Sequence, residues 1–109
     1  MAEPPVSKSD MARDPVHIDA KHYTVEFENE KVPVLRIKYG PREKSPMHAH
    51  PPLVGILLTP HHRRHTFSDG RVQDMTGNPG DVIYLDAVEH APENVSDAPF
   101  ELIAVELKT

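Results

Sequence analysis

From Tyr23 onward, apolar and polar residues alternate in short runs, and turn-forming residues separate each run from the next. Tyr23-Thr24-Val25-Glu26-Phe27 alternates one by one, the period of a half-buried strand, and Asn29-Glu30 closes it as a turn. Residues 32–39 (VPVLRIKY) predict a second strand, with Val32, Val34 and Arg36 on one face and Leu35, Ile37 and Tyr39 on the other. Gly40-Pro41 ends it. His48 to Leu58 forms a third, in which Pro51-Pro52, lacking backbone N–H groups, is tolerated only at an edge or a bulge. Thr59-Pro60 turns the chain, residues 62–67 return, and Ser68-Asp69-Gly70-Arg71 is a hairpin signal. Residues 71–75, 81–85 (DVIYL) and 100–107 (FELIAVEL) complete the series, with Gly77-Asn78-Pro79-Gly80 between the first two of these. No segment carries a helical period of useful length, and there is no internal repeat. Short strands at this spacing predict an all-β sandwich or barrel.

A chain of 109 residues holds one domain with a single core. Its three Phe, three Tyr and absent Trp suit a small barrel filled with Val, Ile and Leu. Twelve prolines falling between the apolar runs argue against long helices. With no cysteine there is no disulfide, thiolate metal site or cysteine nucleophile, which fits a reducing compartment. Residues 1–14 are small, charged and proline-rich and predict a flexible N-terminal arm, leaving 15–109 as the single domain. That arm has no apolar core of a secretory signal, and no stretch approaches the roughly 20 apolar residues that span a bilayer. A cytoplasmic protein with no membrane partner is expected. The net charge of −5 disfavours binding a phosphate backbone. The run His61-His62-Arg63-Arg64-His65 is short and has no interleaved aromatics for stacking, so no nucleic-acid partner is expected. It reads as a solvated basic turn and strand start.

One feature suggests chemistry. His48 and His50 are two apart in a strand, so their side chains share a face with Cα atoms roughly 6.5–7 Å apart. His90 follows the Gly-Asn-Pro-Gly-Asp turn and would have to arrive from a distant strand. Neutral imidazoles suit Zn, Fe, Mn, Ni or Co, and three protein ligands leave a divalent transition metal with open positions. The alternative is two partly exposed strand histidines with no shared partner. No nucleophile elbow, phosphate-cradling loop or dinucleotide fingerprint is present.

Gly40…Met47-His48-Ala49-His50-Pro51 and Asn78-Pro79-Gly80-Asp81-Val82-Ile83-Tyr84-Leu85…His90-Ala91-Pro92-Glu93-Asn94 resemble the two motifs of the cupin superfamily. Residues 14–19, 21–29 and 105–108 are similar to a group of small bacterial single-domain cupins of poorly defined function. The resemblance implies a cupin-type double-stranded β-helix, a jelly-roll barrel, with His48, His50 and His90 binding metal in its mouth. It also implies a small-molecule ligand or substrate and a homodimer. Two departures stand out. The family's Glu falls on Val54 or Gly55, neither of which can ligate, and the segment 86–89 before His90 is one residue short and lacks the usual Pro and Gly.

His65 is the possible fourth ligand, provided that Arg63, His65 and Phe67 alternate inward. Arg36, Tyr39, Val54, Ile56 and Leu58 are expected to line the pocket, Glu89 and Tyr84 are candidate catalytic acids or bases, and Asn94 is expected to bond local backbone. The open three-histidine site predicts a metal-dependent enzyme acting on a small organic molecule, and the resemblance implies an activity of oxygenase or isomerase type. The alternatives are a non-catalytic module that binds or senses a small metabolite, or a structural role with an empty barrel.

Overall fold

A computed structural model describes residues 14–108. The arm expected over 1–14 lies outside the described residues except for Asp14. That residue caps a single helical turn, α1 (Pro15–Ile18): its carboxylate accepts from the Val16 N–H at 2.9 Å, and proline occupies the first turn. Four residues are too few to register as a helical period, so only the Asp-Pro capping signal could have announced this turn.

Nine strands follow, β1 (Tyr23–Glu28), β2 (Pro33–Tyr39), β3 (His48–His50), β4 (Leu53–Leu57), β5 (His61–Phe67), β6 (Val72–Gly77), β7 (Val82–Leu85), β8 (Val88–Asn94) and β9 (Phe100–Glu106). They form a five-stranded sheet in the order β1-β2-β9-β4-β7 and a four-stranded sheet in the order β3-β8-β5-β6, paired antiparallel throughout. The expected all-β barrel is therefore present. Among the described residues, no helix is long and apolar enough to cross a membrane.

Two strands depart from the sequence expectation. The run 48–58 is divided at Pro51-Pro52: β3 pairs with β8 in one sheet, whereas β4 lies between β9 and β7 in the other. Two successive residues without N–H groups cannot extend a ladder, and the chain crosses between the sheets there. β8 is the distant strand expected to carry His90, but its alternation does not mark its limits, because its inward residues are His90, Pro92 and Asn94, polar or cyclic where the pattern demands apolar.

The two sheets contribute opposite chemistries to the interior. The five-stranded sheet supplies Tyr23, Leu35, Ile37, Tyr39, Leu53, Phe100, Leu102 and Ala104, a contiguous apolar cluster. Each large aliphatic side chain there contributes about 1.5–3 kcal/mol through burial. From the four-stranded sheet come His48, His50, His61, Arg63, His65, His90 and Asn94, all buried. The reading of 61–65 as a solvated basic turn is thus corrected: β5 alternates with His61, Arg63 and His65 inward.

The expected pocket wall is inverted. In β4 the inward residues are Leu53, Gly55 and Leu57, while Val54 and Ile56 face outward opposite Tyr84 and Val82, and Leu58 is 42% exposed. Both faces of this strand are apolar, so alternation alone could not tell inside from outside. Gly77, at the end of β6, permits a close approach of the sheets: a Cβ there would stand 2.3 Å from the Leu57 side chain.

Candidate metal centre

His48 and His50 occupy alternate positions of β3 and so project to the same side, and antiparallel pairing sets His90 of β8 directly opposite His48. The three rings surround one point. Their centroids are 4.9 Å (His48–His50), 5.1 Å (His48–His90) and 5.1 Å (His50–His90) apart, and their planes are nearly mutually perpendicular at 84°, 90° and 86°. One ring nitrogen from each lies within 4.8 Å of the others.

Hydrogen bonds on the far sides of two rings fix which nitrogens face inward. His48 Nδ1 lies 3.0 Å from the Pro46 carbonyl, which can only accept, so Nδ1 carries the proton and Nε2 presents a lone pair. The Ser45 hydroxyl touches the same Nδ1 at 3.0 Å. His50 Nδ1 donates to the Glu106 carboxylate at 2.6 Å, again leaving Nε2 as a bare acceptor. These two Nε2 atoms stand 3.1 Å apart. Two lone pairs facing each other repel, and a proton between them would have to charge a buried imidazole. Burial and the neighbouring His50 push His48 down to about 3. A cation held by both nitrogens would resolve the conflict. His90 adds a buried Nε2 that has no hydrogen-bond partner. Burial, followed by the nearby imidazoles, holds His90 far below the usual histidine range, so it too is neutral and able to ligate. The donor set therefore suits a divalent transition metal of unassigned identity.

Solved structures with the same architecture supply the comparison. A cupin domain from Bordetella pertussis is 25% identical, matching 80% of this chain and 92% of its own with a TM-score of 0.74. The chain has the cupin fold. A cupin 2 conserved barrel protein from Salinispora arenicola matches all of this chain and 90% of its own at 19% identity and a TM-score of 0.61. The polyketide cyclase RemF from Streptomyces resistomycificus matches 78% of this chain and 63% of its own at 14% identity and a TM-score of 0.58. No protein-family model matches the sequence, and no curated protein sequence does.

Within this cupin barrel the missing Glu has a steric counterpart. Gly55 is an inward position of β4, and a Cβ there would already lie 3.0 Å from the Ile83 side chain, so a larger residue at that position would have to displace Ile83. Glu106 of β9 is the buried acid nearby. It touches the outer nitrogen of His50 rather than the shared point, so it orients a ligand instead of serving as one.

His65 is not a fourth ligand either. Its Nδ1 lies 3.1 Å from His90 Nδ1, behind the ring that faces the ion, and its own Nε2 is buried without a partner. For His90 to ligate through Nε2, its Nδ1 must donate to His65 Nδ1, and the His65 proton then sits on Nε2.

The remaining assignments divide. Tyr39 does line the cavity, with its hydroxyl 2.6 Å from that of Tyr23. Burial raises both phenols, Tyr23 and Tyr39, well above their ordinary range. Arg36 does not line it: it lies on the outer face of β2, bonded to Glu26 and Glu101. Tyr84 stands opposite Val54 on the outer face and is 57% exposed. Glu89 alternates with His90 along β8 and pairs with Ala49, so it projects from the other face of the sheet. Neither reaches the cavity as an acid or base. Asn94 bonds local backbone as expected, at Ala98 and Ser96, and also donates to the Gly40 carbonyl at 3.0 Å, tying the two motifs together.

Sequence reasoning missed Glu106 and Arg63. Both carry a legible signal, a charge in the inward phase of an otherwise alternating strand.

Proposed function

We propose that the chain is a mononuclear metal cupin in which His48, His50 and His90 hold a divalent transition ion and the adjoining barrel cavity takes a small organic molecule for oxygenase- or isomerase-type chemistry. The observation that carries this reading is the pair of opposed Nε2 lone pairs, 3.1 Å apart, with their tautomers set by Pro46 and Glu106. A bound ion with three protein ligands would retain open positions and act as a Lewis acid toward a substrate oxygen. The chain's own residues would fix the ligands, exclude water along the apolar wall and orient the substrate. Protein prepared without a histidine tag is expected to carry near-stoichiometric metal by elemental analysis, and the His48→Ala, His50→Ala double variant is expected to carry none. Metal-free wild-type protein that takes up no added Zn, Fe, Mn, Ni or Co would remove the proposal.

A second reading, a metabolite-binding or sensing module, draws on the outward placement of Glu89 and Tyr84, which leaves the cavity without the expected acid and base. Turnover by the metal-loaded protein on a panel of small acids, aldehydes and diketones separates the two.

We also propose that the protein pairs as a homodimer through the outer face of its five-stranded sheet. There Val54, Ile56, Val82, Tyr84, Ile103 and Val105 form one apolar patch by register. A second copy of the same patch is its natural cover. Sedimentation at micromolar concentration is expected to show a dimer, and Val82→Glu, at a position already 67% exposed, to show a folded monomer.

A further inference from the structure

The arginines of this barrel are paired in an unexpected way. Arg36, Arg42, Arg64 and Arg71, all toward solvent, each contact a carboxylate. Arg63, at 7% exposure, is in no ion pair among the described residues. Its Nε has no hydrogen-bond partner, and its Nη2 has only a weak contact to the Met75 sulfur at 3.6 Å. An always-charged guanidinium is rarely buried without a counter-charge.

Arg63 lines the same small cavity as His50, His65 and His90. His65 lines it too, and its Nε2 is the second buried nitrogen there left without a partner on the β5 side. With the His65 proton on Nε2, both groups are donors and neither has an acceptor. The wall across from them is apolar, formed by Leu53, Phe100 and Leu102.

We propose that this cavity binds a small organic carboxylate whose anionic end is received by Arg63 and the His65 N–H, and whose apolar end rests on the five-stranded sheet. The placement of the His65 proton rests on the metal-centre reading; the unpaired charge of Arg63 does not. A planar carboxylate matches the donor fork of a guanidinium and supplies the counter-charge that the fold withholds. Glu106 is already engaged by His50.

The test is titration of the full chain, metal-free and metal-loaded, with isobutyrate, its neutral isostere isobutyramide, and inorganic phosphate, read by calorimetry or amide chemical shifts. Isobutyrate is expected to bind the metal-free wild type at least about tenfold more tightly than the amide, and more tightly than phosphate. Arg63→Met is expected to abolish the preference, and Arg63→Lys to keep part of it. A thermal melt confirms that Arg63→Met is folded, and its midpoint is expected to rise because a buried unpaired charge has gone. The acid-over-amide preference is read on metal-free wild-type protein and metal uptake separately by elemental analysis, so failure of the metal centre and failure of the carboxylate site give different results. The proposal is overturned by equal binding of acid and amide, by tighter binding of phosphate, by no binding of isobutyrate at tens of millimolar, or by an unchanged preference in folded Arg63→Met.

Discussion

Glu106→Gln is expected to lower the affinity of the barrel for a divalent ion by about 10–100-fold, or roughly 1.4–2.8 kcal/mol. The carboxylate sits 2.6 Å from His50 Nδ1 and holds the ring in the tautomer that aims a lone pair at His48. An ionised acceptor on the far nitrogen also makes the ligating nitrogen more basic. Glutamine keeps the shape but removes the charge, and its amide can donate, which would move the His50 proton to the ligating side. Competition against a chromophoric chelator measures the loss, with His50→Ala as the limit at which binding disappears. An unchanged affinity in Glu106→Gln would mean that His50 is not a ligand.

The metal-free protein is expected to unfold steeply in mild acid. Burial, with help from neighbouring cations or imidazoles, pushes His61 down to about 4 and His48 and His65 down to about 3, and places His90 lower still. In the unfolded chain all four return to about 6.5. Above that pH neither state holds these protons, and stability is unaffected. Below it the unfolded chain takes up protons that the folded barrel refuses, so stability falls with falling pH until the folded values themselves are reached. Near pH 5 four imidazoles, at about 1.36 kcal/mol per proton and pH unit, give a slope of about 5 kcal/mol per pH unit. A small domain has only about 5–15 kcal/mol to lose. Thermal midpoints measured from pH 7 to 4 are therefore expected to drop sharply below about pH 6, with unfolding by about pH 4.5 at room temperature. A bound divalent ion competes with the protons and moves the transition to lower pH. Stability that stays level from pH 7 to 5 would show that these rings are hydrated.

The sequence announced the barrel well wherever burial and alternation agree. β1, β2, β7 and β9 lie within a residue or two of their expected limits, and the facing of Leu35, Ile37 and Tyr39 in β2 was read correctly. It failed where the interior is polar. β8 and the inward face of β5 bury histidine, arginine, asparagine and proline, which a hydrophobic period scores as surface. It failed again at β4, whose two faces are equally apolar, so that Val54 and Ile56 were assigned to the cavity side that Leu53, Gly55 and Leu57 occupy. The His48, His50 and His90 cluster was legible because two of its members share a strand and the third sits in a recognisable motif. Behind it, Ser45 and the Pro46 carbonyl are sequence neighbours of His48, whereas Glu106 is brought to His50 only by the closed barrel.

The pairing of β3 with β8 has a consequence for how the protein matures. His48 and His90 are far apart along the chain and meet only once β3 and β8 have paired in the four-stranded sheet. Contacts of that range form late and slowly. Before that pairing the chain would offer an ion at most the His48 and His50 imidazoles of one strand. Under the proposed function, loading would set a seal on finished architecture rather than precede it.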